Sequence, residues 1–209
     1  MRLYDFAGAP NPRRVRIFLA EKGIEVPVEQ VDLRARAQHE PGYVARNPSA
    51  TVPMLELDDG TCIAESVAIC RYFEALQPEP RLMGTDARDQ ALVEMWQRRM
   101  EIDGFMAAGE AFRNATPGFK DRALAGTAKV AQIAALAERG RERLDRFFKF
   151  LDKVLAGRDF VAGSRYTIAD ITALVTVDFA GWSKLKPGPE LGNLAAWYER
   201  VASRPSAKA

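Results

Sequence analysis

The segment TVPMLELDDGTCIAES, residues 51–66, places a proline at the mouth of a predicted strand. Proline lacks a backbone N–H and is tolerated in a strand only at an end, an edge or a bulge. A cis bond between Val52 and Pro53 would turn the N–H and C=O of Val52 outward, where an extended peptide could pair with them. Val52 and Pro53 are therefore candidate peptide-binding residues.

Glu65 and Ser66 stand where an amphipathic helix is predicted to begin. The first turn of a helix offers unpaired N–H groups and a partial positive charge to a carboxylate, and the Ser66 hydroxyl adds a donor. The Glu65 carboxylate suits an ammonium group. The pair predicts a site for an α-amino-acid group beside the docking strand. Each residue also has an ordinary structural explanation: Pro53 as a strand-end proline and Ser66 as a helix cap.

The composition is that of an ordinary globular protein. The chain has 209 residues, of which 47% are hydrophobic and 28% charged, and a net charge of +2, so we expect no nucleic-acid partner. One histidine and two cysteines, Cys62 and Cys70, offer neither a metal site nor a disulfide framework, and we interpret both cysteines as small buried residues. We find no secretion signal and no membrane-spanning run, and therefore expect a cytoplasmic protein without a membrane partner.

The first part of the chain alternates strands and helices. We predict a helix that ends at Gly23, a short irregular helix at residues 39–46 and a third helix from Glu65 or Ser66. Asp58-Asp59-Gly60 between two apolar runs is a strong hairpin signal. The strands are predicted at residues 2–6, 26–33, 54–57 and 61–64. The order predicts a small α/β domain over residues 1–77.

Only helical periodicity follows the Pro- and Gly-containing linker at residues 78–87. Thr167 and Asp170 form a capping-box variant at the start of one helix. The helices are predicted at residues 88–112 and 122–155, from residue 167, and at residues 193–203. Gly126 and Gly140 predict bends or a weak point in the second of these. Residues 88–209 are therefore predicted to form an all-α domain.

Three stretches resemble the cytosolic glutathione transferases: LYDFAGAPNPRRVRIFLAEKGI, NPSATVPMLELDDGTCIAESVAICRYFE and TIADI. The resemblance covers nearly the whole chain, and the NPxxxVPxL…DG…ES signature is specific. It implies a thioredoxin-like α/β domain with a mixed four-stranded sheet, followed by an all-α helical bundle. It also implies glutathione as co-substrate without a metal, an electrophile or disulfide as second substrate, and a homodimer.

The resemblance also implies which residues contact glutathione. Val52, before cis-Pro53, would pair with the backbone of the glutathione cysteine. Thr51 stands where the family often has a lysine or glutamine, which weakens any charged clamp on the glycine carboxylate. Glu65 and Ser66 would hold the γ-glutamyl end, and Gln38 or His39 would meet the glycine carboxylate.

The group that activates the thiol departs from the family pattern. Ala9 stands where several classes have serine, the loop has no cysteine, and Tyr4 is one position out of phase with the site. Asn11 is the remaining side-chain donor. Lowering a thiol pKa of ~8.5 by about two units requires roughly 2.7 kcal/mol. A hydrogen bond to a charged group supplies roughly 1.5–3 kcal/mol, and a helix N-terminus adds about 0.3–1 kcal/mol. One amide is therefore sufficient if its geometry is right.

A structural explanation of Asn11 is also available. Asn followed by Pro is a good N-cap with proline at the first helical position. Both roles are compatible, because the amide oxygen could cap the helix while the NH₂ points at sulfur. We interpret Arg13, Arg14 and Arg16 as a solvated or interface face rather than a catalytic cluster.

The predicted activity is that of a glutathione transferase that stabilises bound thiolate and presents it to an electrophile. Met100, Phe105 and Met106 on the first long helix are candidates for the electrophile pocket, with core packing as the alternative. Glutathione-disulfide exchange is a subordinate possibility, because it requires no protein nucleophile. The competing hypothesis is a non-catalytic glutathione-binding or protein-interaction module that kept the fold.

Overall fold

The computed structural model describes all 209 residues, which divide into two compact units. The first unit comprises Met1–Pro80, Leu124–Lys129 and Ala209; the second comprises Arg81–Ala123 and Val130–Lys208. The boundary of the predicted linker at residues 78–87 stays a prediction. No helix combines the length and the apolar composition that a membrane crossing requires.

The first unit contains a mixed four-stranded sheet in the order β2-β1-β3-β4. β1 pairs in parallel with β2 and antiparallel with β3, and β3 pairs antiparallel with β4 across the predicted Asp-Gly turn. The strands are β1 Arg2–Asp5, β2 Val28–Gln30, β3 Met54–Glu56 and β4 Cys62–Ala64. The helices are α1 Pro10–Lys22, α2 Pro41–Arg46 and α3 Ser66–Leu76, with a 3₁₀ turn at Ala37–His39. The predicted mixed sheet is confirmed.

β2 is shorter than the predicted strand at residues 26–33. Its side chains are exposed, and it is an edge strand of the sheet. Asp32 ends the extended conformation because its Oδ1 accepts hydrogen bonds from the N–H groups of Arg34 and Ala35 at 2.8 and 3.1 Å. Such local side-chain bonds favour a turn over a continued strand.

A buried lysine fixes the end of α3. The Lys22 ammonium donates to the carbonyl oxygens of Gln77, Pro78 and Pro80 at 2.8, 3.2 and 2.8 Å, and pairs with Glu74 at 2.7 Å. The side chain of Lys22 has no exposed surface. A buried ammonium needs such partners, so this contact ties α1 to the segment that follows α3.

The second unit is all helical apart from isolated bridges and turns. A π-helical segment, Met100–Phe105, interrupts the predicted first long helix, where the ring of Phe147 packs so closely on Gly104 that a Cβ there would lie 2.6 Å from it. The helices are α4 Ala87–Arg99, α5 Met106–Ala115, α6 Ala134–Leu155, α7 Ile168–Trp182 and α8 Gly192–Ala202, with 3₁₀ turns at Pro117–Phe119 and Pro205–Lys208.

The predicted helix at residues 122–155 is wrong in its first third. Val130 exchanges backbone hydrogen bonds with Asp121 and Ala123 at 3.0 Å each, which closes a loop instead of a helix. The guanidinium of Arg113 fixes this loop by donating to the carbonyl oxygens of Arg122 and Ala123. Gly126 lies in the loop at φ 114°, a conformation that few other residues adopt.

Gly140 does not bend α6, which runs without interruption from Ala134 to Leu155. A Cβ at this position would lie 2.6 Å from the backbone nitrogen of Ala111 and 2.9 Å from the carbonyl oxygen of Ala107. Glycine is therefore required by the close crossing of α5 and α6, and the prediction of a bend or weak point at this residue is wrong.

The capping box predicted at Thr167 and Asp170 is confirmed and anchors the helical core. Asp170 is fully buried, and its carboxylate accepts from the Val161 N–H, the Trp197 indole, and the N–H and hydroxyl of Thr167 at 2.9–3.1 Å. Burial raises the pKa of Asp170 to about 6, although each of the four donors lowers it.

The substitution Asp170→Ala should reduce the free energy of unfolding by about 3–5 kcal/mol at pH 7, because four buried donors lose their acceptor. Since the folded pKa of about 6 lies above the unfolded value of 3.8, the stabilisation by Asp170 is greatest at low pH and declines as pH rises through 6. The difference between wild type and variant should therefore be larger at pH 5 than at pH 7 in urea unfolding.

Asp145→Ala is the matched control, because it removes a carboxylate from an exposed ion pair with Lys149 in the same unit. Asp145→Ala should change the free energy of unfolding little at either pH. An equally small effect of Asp170→Ala would contradict the central role of the capping box.

Candidate functional site

The start of α1 places Asn11 on the surface. Ala9 is the N-cap residue, no side chain caps the helix, and prolines occupy its first turn. Asn11 is thus the second helical residue, so its predicted role as N-cap is wrong. Its side-chain oxygen instead accepts a hydrogen bond from Arg14 Nη1 at 3.2 Å. The amide NH₂ is left without an acceptor in the chain and is available to a ligand.

The starts of α1 and α3 are joined by a hydrogen bond between two of the predicted site residues. The buried Ser66 hydroxyl donates to the backbone carbonyl oxygen of Asn11 at 3.1 Å. Ser66 is therefore not a helix cap; it is the first residue of α3 and follows Glu65, which has a φ of 72°. A non-glycine residue at this φ is uncommon and is found most often at functional sites.

No side chain caps the N-terminus of α3. The first N–H groups of a helix have no intrahelical acceptor, and the helix dipole makes this end partly positive. The exposed Glu65 carboxylate lies directly before it. This arrangement has the two opposite charges that a zwitterionic amino-acid group requires.

Val52 precedes a cis peptide bond to Pro53, as predicted from the sequence. Neither the N–H nor the C=O of Val52 forms a hydrogen bond within the chain. The preceding carbonyl, that of Thr51, is fixed by the Tyr43 hydroxyl at 2.6 Å and the Asn47 amide at 2.9 Å. The Val52 peptide group is thus unpaired but rigidly placed.

The loop between β1 and α1 is held by a buried ion pair. Arg16 donates to both carboxylate oxygens of Asp5 at 2.8 and 2.9 Å and to the Ala7 carbonyl at 3.0 Å. Gln30 accepts from the Ala7 N–H at 3.0 Å. Arg16, which is partly exposed, therefore positions the loop, and Arg14 is buried, so the prediction of a solvated or interface face is wrong for Arg14.

Gln38 and His39 lie on the one-turn 3₁₀ helix and are both half-buried. The neighbouring Ala37 packs, together with Ala9, against the apolar cluster that contains Val52. The 3₁₀ turn, the loop between β1 and α1 that contains Ala9, and the chain at Val52 therefore surround one cluster. The side-chain oxygen of Gln38 is buried without a hydrogen-bond partner, which is unusual in a folded protein.

Tyr4 and the cysteines are unsuited to activate a thiol. The Tyr4 hydroxyl is bound to Glu56 at 2.7 Å and to Arg46, and burial raises its pKa. Burial also raises the pKa of Cys70 to about 12, and Cys62 is only partly buried on β4. The interpretation as a buried hydrophobic residue thus holds for Cys70 in full and for Cys62 in part. The chain contains no cluster of three or more His, Cys, Asp or Glu side chains suited to a metal.

The three candidates for the electrophile pocket do not share one surface. Met100 is completely buried, Phe105 is buried, and Met106 is 56% exposed. Sequence reasoning missed an aromatic cluster in which each ring lies 5.0–5.7 Å from at least one other and Trp182 is half exposed. Its members are Phe105, Phe112, Phe119, Phe179 and Trp182. The spacing of Phe105 from Phe112 and of Phe179 from Trp182, seven and three residues, was the available signal.

Two family models match the chain. Residues 9–76 match the glutathione S-transferase N-terminal domain, and residues 95–205 match the C-terminal domain. The chain is also similar to glutathione S-transferase 2 of Saccharomyces cerevisiae, with 37% identity over 210 residues that cover 100% of this chain and 88% of the relative.

Solved structures agree in fold. A glutathione S-transferase domain-containing protein of Marinobacter aquaeolei has 39% identity and a TM-score of 0.92, with 99% of each chain covered. Gtt2 of Saccharomyces cerevisiae has 36% identity and a TM-score of 0.91, with 100% of this chain and 99% of that chain covered. These similarities extend over both units and include the thioredoxin-like and helical domains. The chain belongs to the glutathione S-transferase family.

Proposed function

We propose that this protein is a cytoplasmic glutathione transferase that binds glutathione along Val52, stabilises its thiolate with the Asn11 amide, and transfers the sulfur to an electrophile. The observation that carries the proposal is the free NH₂ of Asn11 on the same residue whose backbone is bonded to Ser66. The ligand sulfur and the ligand carboxylate would thus be held by groups that are rigidly connected. Catalysis is then proximity plus thiolate stabilisation.

Each end of glutathione has a matching group in this proposal. The cysteine backbone pairs with the unpaired N–H and C=O of Val52, beside Pro53. The γ-glutamyl carboxylate accepts from the backbone N–H groups of the first turn of α3, that of Ser66 included, and its ammonium faces Glu65. The glycine carboxylate lies at Gln38 or His39, whose side chains are half-buried on the neighbouring turn.

The electrophile is proposed to contact the aromatic cluster of the helical unit, with Trp182 as its most exposed ring. Aromatic side chains provide a large apolar surface with little loss of conformational entropy. Met106 remains a candidate for this pocket because its side chain is exposed, whereas the side chain of Met100 has no exposed surface.

Exchange with a disulfide substrate is the second reaction that the site allows, because the glutathione thiolate alone attacks and no protein thiol is needed.

Asn11→Ala tests the chemistry. Loss of one hydrogen bond to an anion, about 1.5–3 kcal/mol, should raise the pKa of the bound thiol by about one to two units. The thiolate absorbance band of bound glutathione should then move to higher pH, and turnover at pH 7 should fall by about threefold to 25-fold, in proportion to the thiolate that remains. Asn193→Ala on α8 is the control and should change neither quantity. A band that is absent in the wild type would support the non-catalytic binding module instead.

Ser66→Ala tests the γ-glutamyl site. The variant loses the hydrogen bond that holds the first turn of α3 against the Asn11 carbonyl, so the N–H groups that bind the ligand carboxylate are less firmly placed, and the Kd for glutathione should rise about tenfold, measured by calorimetry. The pKa of the bound thiol should change little. Ser203→Ala, which removes an exposed hydroxyl in the second unit, is the control. Unchanged affinity in Ser66→Ala would remove this residue from the site.

The homodimer is proposed to use an exposed apolar stripe on α4 and the π segment. Leu92, Met95 and Ile102 are each 40–47% exposed and follow one another at spacings of three and seven residues. Exposed apolar residues in such a series mark an association surface. Met95→Glu should convert the dimer to a monomer in analytical ultracentrifugation, and Leu76→Glu, at an even more exposed leucine on α3, should not. A monomeric wild type would contradict the proposal.

A further inference from the structure

The orientation of the Asn11 amide is determined by its neighbour. A guanidinium has only donors, so the atom that faces Arg14 Nη1 at 3.2 Å must be the amide oxygen. The NH₂ therefore lies on the opposite side of the carboxamide. No group of the chain accepts a hydrogen bond from it.

Arg14 is suited to hold this orientation because it is not a mobile surface residue. It is only 3% exposed, although it lies on the first helix one turn after Asn11. Its charge lies close enough to α3 to lower the pKa of the Cys70 thiol, against the larger effect of burial. A buried guanidinium retains its acceptors, so the bond to Asn11 is maintained by the packing of α1.

We propose that Arg14 is a positioning residue: its guanidinium binds the Asn11 oxygen and so presents the Asn11 NH₂, rather than the oxygen, to the sulfur of glutathione. This inference rests on the proposed function of Asn11. When glutathione ionises, the S–H bond breaks, the proton passes to solvent water, and the sulfur keeps the electron pair and accepts from the NH₂. A reversed amide would place its oxygen against this anion and favour the thiol.

The decisive experiment is a double-mutant cycle on the pKa of bound glutathione, measured by its thiolate absorbance. Arg14→Gln allows the amide to reverse, so the pKa should rise by about one unit, from ~6.5 to ~7.5, which is about a threefold loss of thiolate at pH 7. In the Asn11→Ala background the same substitution should cause no further rise, because no amide remains to be positioned. Arg14→Lys, which keeps a group that only donates, should restore most of the thiolate.

Two controls separate positioning from other effects. Arg13→Gln removes the same charge from the adjacent residue and should leave the pKa of the bound thiol unchanged. If Arg14→Gln raises the pKa equally with and without Asn11, the arginine acts directly by its charge and positioning is overturned. An unchanged pKa in Arg14→Gln overturns it as well.

A measurement on the wild type covers the case in which the Arg14 variants do not fold. The side-chain NH₂ signals of Asn11 in NMR should shift when glutathione binds, and should shift much less with S-methylglutathione, which has no thiolate. Equal shifts for the two ligands would overturn the inference. If the wild type binds glutathione without lowering its thiol pKa, the proposed function and the inference fail together; with a lowered pKa, only the inference is at stake.

Discussion

The first unit depends on one constraint: the peptide group of Val52 must remain unpaired and yet stay in place. An unpaired backbone group is tolerated at the surface but is normally mobile. Here the preceding carbonyl accepts from both Tyr43 and Asn47, and the Val52 side chain is buried in the cluster beneath. Burial raises the pKa of Tyr43 to about 12, so its hydroxyl stays a donor over the whole physiological range. Rigidity at this point is what the proposed pairing with an extended peptide requires.

The same unit fixes the distance between its two ligand-binding ends by a hydrogen bond rather than by loops. Ser66 donates to the Asn11 carbonyl, and Arg16 with Asp5 holds the loop that leads to Asn11. In the proposed complex, a tripeptide held at its carboxylate would therefore have its sulfur confined near one amide. Confinement of this kind removes most of the entropy that a bimolecular reaction loses.

Short sequence patterns predicted most of the fold, but they did not predict contacts between residues far apart in the chain. The Asp-Gly hairpin and the capping box of Thr167 with Asp170 were predictable because each depends on neighbouring residues, whereas the cis bond at Pro53 was implied only by the family resemblance. Lys22 and Arg16 could not be assigned, because their acceptors lie 52–58 and nine or eleven residues away. The burial of Arg14 likewise escaped the sequence, because it depends on how α1 packs and not on the charge pattern of α1 itself.

An amide in place of a hydroxyl changes how the thiolate is stabilised. A tyrosine donor titrates near pH 10 and could exchange its proton with sulfur, whereas an amide does not titrate in this range. Asn11 can therefore only shift the equilibrium of the thiol, and the proton must leave through water. The stabilisation then depends entirely on which atom of the amide faces the sulfur, since a carbonyl oxygen would oppose it. The orientation of the Asn11 amide matters more than that of a hydroxyl, which can rotate. This is the reason for which we propose a functional role for the neighbouring Arg14.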